Sequence, residues 1–172
     1  MMVETERLIF RKFDDDDLPL LIEQRSDPDV NKYLGGPARQ NPDALATRIR
    51  FYMECYDKFG FGMCPMILKE TGEIIGTAGI QPLEDTGEIE VGYSLIKSYW
   101  GRGLGTEAAR GWMKYGFETG LDRIVAVANE PNTASRRIME KLGMRYEKTE
   151  VHYGEPCAFY AISKEDFNNW NT

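Results

Sequence analysis

A chain of 172 residues that is 42% hydrophobic and 28% charged has the composition of one globular domain, 1–172, neither disordered nor large enough for two comfortable cores. A net charge of −7 argues against generic nucleic-acid binding, and no apolar run reaches the ~18–20 residues that would cross a bilayer. Three widely spaced cysteines (Cys55, Cys64, Cys157), a single histidine (His152) and a start without basic and apolar signal segments lead to three expectations: no metal site, no disulfide framework and a cytoplasmic location.

In chain order, residues 7–13 alternate enough for a first strand. The run Asp14-Asp15-Asp16-Asp17 precedes the apolar Leu18, Leu20, Leu21 and Ile22. It reads as the acidic cap of a helix over 18–26, where carboxylates meet the positive end of the dipole. Residues 32–42 (KYLGGPARQNP) are broken by Gly35, Gly36, Pro37 and Pro42 and form a loop. Leu45, Ile49, Tyr52, Met53 and Tyr56 recur at helical spacing and predict a helix over 43–59. Strands over 63–69 and 74–81, joined by a Glu-Thr-Gly-Glu turn, predict an antiparallel hairpin. A further strand over 88–96 leads to a helix over 103–117 with Leu104, Ala108, Trp112 and Tyr115 on one stripe. Residues 124–128 (IVAVA) are wholly apolar, as in a sheet centre covered on both faces. A helix over 133–142 turns Ala134, Ile138 and Leu142 inward, and Gly143 stands where a left-handed cap is wanted. Strands over 144–151 and 157–162 finish the sheet. Interleaved strands and helices, with a hairpin at each end, predict a mixed α/β architecture.

Between the strand over 88–96 and its helix lies Tyr99-Trp100-Gly101-Arg102-Gly103-Leu104-Gly105-Thr106-Glu107. Alternating glycines leave backbone N–H groups uncovered, and a helix start adds four N–H groups without intrahelical partners together with the positive dipole end. The segment predicts a cradle for phosphate or pyrophosphate, with Arg102 adding charge. Its G-x-G-x-G spacing is neither the G-x-G-x-x-G of dinucleotide folds nor a triphosphate loop ending in Gly-Lys-Ser/Thr. A turn needed only for strand–helix packing is the other reading of these glycines. Asn132, in Asn129-Glu130-Pro131-Asn132-Thr133-Ala134-Ser135, stands at the next strand-to-helix junction. It can cap that helix, and its amide can also meet an amide-rich ligand.

The order strand, W-G-R-G-L-G-T-E-A, helix, strand, N-x-A-S, helix ending E-K-L-G-M resembles the GNAT superfamily of acyl-CoA-dependent N-acyltransferases. The opening ETERLIFRKFDDDDLPLL, the segment ETGEIIGTAGI and the ending HYGEPCAFYAISKEDF resemble its RimJ/RimL-type N-acetyltransferase branch, and the likeness runs over about residues 5–167. The resemblance implies a single GNAT-like α/β domain with a mixed, mostly antiparallel twisted sheet, splayed central strands and flanking helices. It implies acetyl-CoA as co-substrate. The pantetheine arm would pair with the backbone at Tyr93, Ser94 and Leu95. The pyrophosphate would sit on Gly101, Arg102, Gly103, Leu104, Gly105 and Thr106, and Asn132 would touch the arm. The activity it implies is direct acetyl transfer, in a ternary complex, to a primary amine: a protein N-terminus or a small-molecule amine such as a polyamine. A non-catalytic acyl-CoA-binding sensor or interaction module of the same fold stays open. No nucleic-acid or membrane partner is expected, and a homodimer is left open.

Transfer from a thioester to an amine requires a proton acceptor for the ammonium, polarisation of the carbonyl and a proton for the departing thiolate. Glu88 and Glu90 share one face of their strand by period two, and Glu90, closer to the splay, is the first candidate base. The same carboxylate could equally be a solvated or ion-paired strand residue. Where many family members carry a tyrosine seven residues after the asparagine, this chain has Met139. Ser135 is then the candidate acid for the thiolate, with Tyr153 and Tyr160 as further donors and an ordinary helix serine as the plainer reading.

Overall fold

In the computed structural model, which describes residues 3–171, the chain opens with β1 (Leu8–Phe10) and α1 (Leu18–Arg25). The four aspartates do what their charge and place suggest. Asp14 accepts from the Asp16 N–H and forms a capping box with Asp17 in the short 3₁₀ turn that enters α1. The buried Asp17 carboxylate is gripped by Arg11, Nη2 to Oδ1 at 2.6 Å. That pairing also explains why β1 is shorter than the alternation over 7–13 predicts. Only Leu8, Ile9 and Phe10 stay in register with the next strand, and at Arg11 the chain turns to meet Asp17.

Two short helices were not anticipated by the periodicity. α2 (Pro28–Asn31) is a single turn, capped by the Asp27 side chain with Pro28 in its first turn. α3 (Pro42–Phe59) begins on an Asn41 side-chain cap and ends on left-handed Gly60, φ 76°. Then come β2 (Met63–Leu68), β3 (Ile74–Pro82), β4 (Ile89–Leu95), α4 (Leu104–Glu118), β5 (Arg123–Asn129), α5 (Thr133–Lys141), β6 (Arg145–His152) and β7 (Glu155–Ser163). The second unanticipated helix, α6 (Lys164–Trp170), follows. Ser163 caps it, Glu165 and Asp166 favour its first turn, and Phe167 packs on Phe117 with ring centroids 5.0 Å apart. Among the described residues, no helix is long and apolar enough to cross a membrane.

The seven strands form one sheet in the order β1-β2-β3-β4-β5-β7-β6. Every neighbouring pair is antiparallel except β4 and β5. This is the mixed, mostly antiparallel sheet that the family resemblance implies, with β5 near its centre. Period-two alternation sorts the faces. Cys64 and Met66 turn toward Ala108, Trp112 and Met113 of α4, whereas Met63 turns toward Leu21 of α1 and Leu45, Ile49 and Tyr52 of α3. The α1–α3 layer therefore covers the sheet on the side opposite α4.

Gly143 closes α5 at φ 83°, and a Cβ there would lie 2.7 Å from the Trp170 ring. Trp170 is itself pinned by its Nε1 bond to the Lys141 carbonyl at 3.1 Å. Gly143→Ala should therefore lower stability by about 1–2 kcal/mol from the backbone alone, and by more if the ring cannot yield. Urea unfolding checks this: the midpoint should fall with no change in the far-ultraviolet spectrum of the folded protein.

Candidate active site

β4 and β5 share one register pair, Glu90 with Val125, and then part. Beyond it β4 stays on β3 as far as Leu95, opposite Gly76. Backbone polar groups along a strand face alternate edges. The Ile96 N–H donates to the Ile75 carbonyl at 2.9 Å, so Tyr93 and Leu95 turn their backbone groups to the gap and Ser94 keeps its own on β3. The Leu95 carbonyl is already taken by Trp100 Nε1 at 2.8 Å. A cavity of about 200 Å³ opens here, lined by residues 90–94 of β4, by Val127, Ala128 and Asn129 of β5, and by Asn132, Ser135 and Met139 of α5.

Glu90 stands at the parting point and is only 5% exposed. Its Oε1 accepts from Gln81 Nε2 at 2.9 Å and from the Tyr153 hydroxyl. Burial raises its carboxyl above the usual range, and these two hydrogen bonds oppose the rise only in part. The Gln81 Oε1 is buried and has no partner among the described residues. Glu88, by contrast, does not line the cavity. It pairs with Arg123 at 3.2 Å, and Arg123 also holds Glu147 at 2.8 Å.

Tyr153 reaches Glu90 from the tip of the β6–β7 hairpin. Tyr153 and Gly154 have φ 53° and 78° and form a two-residue turn closed by the His152–Glu155 pair. Such turns favour Asn and Gly, and a tyrosine there carries about 1–2 kcal/mol of backbone strain. The tip is held by the Glu84 carboxylate on the Tyr153 N–H at 3.1 Å and by the Arg39 guanidinium 5.0 Å from the ring centre. Burial, and then the Glu90 charge, push the phenol up, so it stays a donor.

Ser135 Oγ lies 3.1 Å from the Tyr93 hydroxyl, which also donates to the Ser135 carbonyl at 3.1 Å. Asn132 Oδ1 accepts from the Ser135 N–H at 3.2 Å, so the capping role is real. Its amide nitrogen has no partner among the described residues and borders the cavity. Tyr160 lies elsewhere, buried between Arg136 at 3.2 Å and Glu140 at 3.1 Å. Cys157 reaches the cavity, but burial raises its thiol and keeps it protonated.

The glycines before α4 divide into two kinds. Gly101 and Gly103 have φ 74° and 75°, and α4 starts without a side-chain cap. A Cβ on Gly101 would meet nothing within 4 Å, so the backbone there is open to a ligand. Gly105 is a packing glycine: its Cβ would lie 3.2 Å from Ile138 Cδ1 and 3.3 Å from Leu95 Cδ1. Leu104 sends its side chain into the core, leaving only its backbone to the loop. Arg102 lies over the Tyr99 ring, 4.9 Å from its centre, and Thr106 follows in the first turn. That turn is tied to the start of the chain. Glu107 accepts from Thr5 Oγ1 at 2.7 Å and from Arg7 N and Nε at 2.7 and 2.6 Å, and Arg7 Nη1 donates to the Arg102 carbonyl at 3.0 Å.

Sequence reasoning singled out none of Arg25, Arg39, Arg48, Tyr52 and Gln81 as site residues, though all line the cavity. Arg48 left a signal: it sits within the apolar stripe of Leu45, Ile49 and Tyr52, where a cation has no packing reason to be.

Residues 7–145 match the model of an acetyltransferase (GNAT) domain. The chain belongs to the GNAT acetyltransferase family. An uncharacterized N-acetyltransferase, p20 of Bacillus licheniformis, is 32% identical over 94% of this chain and 96% of its own. The crystal structure of a GNAT-family acetyltransferase from Bacillus anthracis covers 96% of this chain and 99% of its own, at 31% identity and a TM-score of 0.80. A ribosomal L7/L12 α-N-protein acetyltransferase in complex with coenzyme A, RimL, shares the fold alone, at 18% identity and a TM-score of 0.77 over 95% and 98% of the two chains. As a GNAT protein the chain is an acetyl-CoA-dependent acyltransferase. Its open-backbone glycines, uncapped helix start and strand gap with free backbone groups fit that co-substrate.

The raised Glu90 carboxyl has a stability consequence with a definite sign. The folded state holds that proton more tightly than the unfolded chain, so the burial cost is absent below the usual carboxylate range, about pH 4, and grows as pH rises through it toward the folded value. Glu90→Gln removes the cost. By calorimetry, the Glu90→Gln protein should melt above wild type by a margin that is small near pH 4 and larger at pH 8. A margin independent of pH would show that Glu90 is as easily ionised folded as unfolded.

Proposed function

We propose that the protein is an N-acetyltransferase that moves an acetyl group directly to a primary amine, on a protein N-terminus or a small molecule, within a ternary complex. We assign Glu90 as the base and the Ser135–Tyr93 pair as the source of the proton for the leaving sulfur. The observation that carries this reading is a buried carboxylate at the parting point of β4 and β5, facing the cavity. Bound acetyl-CoA supplies the thioester, whose C–S bond breaks as the C–N bond forms.

An amine arrives largely as ammonium at neutral pH. Glu90, its proton affinity raised by burial, is better matched to that proton than an exposed carboxylate would be. Gln81 and Tyr153 hold the carboxylate in place, and the unpartnered Gln81 Oε1 supplies a second acceptor beside it. On the other side of the gap, Ser135 Oγ can give its proton to the departing sulfur as the Tyr93 hydroxyl turns its hydrogen from the Ser135 carbonyl to Oγ, and the proton the pair loses is restored from solvent when product leaves. The glycine loop Gly101, Arg102, Gly103, Leu104, Gly105 and Thr106 supplies N–H groups for the pyrophosphate. Tyr93 and Leu95 offer backbone to the pantetheine arm, Ser94 offers its side chain from the cavity wall, and Asn132 offers its free amide nitrogen.

Kinetics with one good amine acceptor test the division of roles. Glu90→Gln should lose ~10²–10⁴ in rate and keep its affinity for coenzyme A, with a deficit that shrinks as pH rises and more acceptor arrives neutral. Tyr153→Phe removes a donor to the ionised carboxylate, so its acid limb should move to higher pH. Ser135→Ala should be slower at every pH with the limb unmoved. Wild-type rates in Glu90→Gln throughout would rule Glu90 out as base.

The loop is tested separately by Gly101→Ala, whose Cβ touches no protein atom. Titration calorimetry should show coenzyme A binding weakened by about tenfold or more in a folded protein. Unchanged affinity would move the pyrophosphate elsewhere.

A further inference from the structure

The cavity holds more positive charge than amine acetylation requires. Arg25 of α1, Arg48 of α3 and Arg39 from the loop before α3 all line it. Arg25 is 5% exposed, and its guanidinium makes one hydrogen bond, Nη2 to Thr77 Oγ1 at 3.0 Å. Among the described residues no carboxylate lies within ion-pair distance of Arg25, Arg39 or Arg48. The three are not part of the pyrophosphate loop, since none of residues 101–106 lines this cavity. A buried guanidinium without an anion is expensive to maintain and is kept where an anion arrives.

From this arrangement we infer that the acceptor is an amino acid or a close relative: a primary amine that carries a carboxylate, which Arg25 and Arg48 bind while the amine lies at Glu90. The inference rests on the acetyl-transfer reading and deepens it. The cavity lining carries groups for both charges of a zwitterion. Glu90 and the unpartnered Gln81 Oε1 can accept hydrogen bonds from an ammonium. Arg25 and Arg48 can donate to a carboxylate, two parallel N–H···O bonds being the natural guanidinium geometry. Tyr52 lines the same cavity, and the charges of Arg48, Arg25, Glu90 and Arg39 all reach its hydroxyl. Burial, and then Arg48, lower the Arg25 guanidinium to about 10, a penalty that a bound carboxylate relieves. A polyamine, cationic at every nitrogen, meets three guanidinium groups against two carboxylates, Glu90 and Glu155. A protein N-terminus has an amide where the carboxylate would be. A carboxylate could also enter on the acyl group, as in succinyl-CoA, and the test separates that source.

The experiment measures thiol release from acetyl-CoA with each proteinogenic amino acid beside its carboxamide, and with spermidine. Succinyl-CoA is tried with the carboxamides. Amino acids should exceed their carboxamides by ~30-fold or more in kcat/KM, as loss of a buried charge partner implies. That ratio should narrow in Arg48→Gln, which sits on a half-exposed position and leaves the core intact, and in Arg25→Lys. Carboxamides or spermidine used as well as the free acids would overturn the inference and leave the acetyl-transfer reading standing. So would efficient succinyl transfer to carboxamides, which would give the arginines to the acyl donor. If no amine is turned over, the transfer reading fails, and binding decides the inference alone. Amino acids at 10-fold over their carboxamides in affinity, by calorimetry with coenzyme A present, would support it, and equal affinity would overturn it.

Discussion

The distinctive chemistry of this molecule depends on where two strands stop pairing. Among the described residues, β4 and β5 are the only parallel neighbours in the sheet, and they share the single register pair Glu90–Val125. A continuous ladder there would satisfy the backbone groups of Tyr93 and Leu95 and leave no room for a ligand. Because the strands part, those groups, apart from the Leu95 carbonyl that Trp100 takes, need partners, the sheet acquires a cleft in its middle rather than at its rim, and the residue at the hinge is a carboxylate. The fold around it keeps the parting open. β3 holds β4 on the far side through seven register pairs, and β7 holds β5 through seven more. Tyr93 spans the opening to α5 as a strut.

A cleft in the middle of a sheet imposes energetic conditions that an edge site escapes. Glu90 is removed from water and carries the cost of its charge, and Tyr153 occupies a backbone conformation that suits asparagine or glycine. Arg25 is buried without an anion. Each is unfavourable for folding taken alone, and all three converge on one cavity of about 200 Å³. The remainder of the chain supplies the stability that tolerates them: an α4 face filled by Leu104, Ala108, Trp112 and Met113, and an α1–α3 layer closed by Leu21, Leu45 and Ile49.

Much of this was legible in the sequence because it is local. The helix over 43–59 announces itself by periodicity, IVAVA by its uninterrupted apolar run, Gly143 by its place after a stripe, and Asp14 by its cap chemistry. The order of motifs placed the glycine loop and Asn132 where the structure has them. Glu90 was reachable because a strand carboxylate next to an expected splay is an anomaly. What was not legible is set by long-range packing. Arg25 looks like a helix C-terminal cation, and only the docking of α1 on the sheet removes it from water. Tyr153 reads from the sequence as a spare donor for the sulfur, and only the pairing of β6 with β7 carries it instead to a carboxylate 63 positions earlier. Gly105 belongs in sequence to the phosphate pattern, yet its Cβ would collide with Ile138, a contact no local spacing encodes. α6 was missed for a different reason: seven residues carry too little periodicity to register, and its Ser163 cap was the only clue.

The tie between Glu107 and the first residues of the chain bears on the order of events in folding. The start of α4 is held by partners about a hundred positions away, Thr5 and Arg7. Contacts of such sequence separation are among the last to repay their loop-closure entropy. The helix can coil early, but the loop before it acquires its final shape only when β1 docks on β2 and delivers Arg7 to the Arg102 carbonyl. A ligand cradled by that loop has nothing to bind in a half-folded chain. Such a ligand favours the completed native state by mass action, because only that state carries the finished loop.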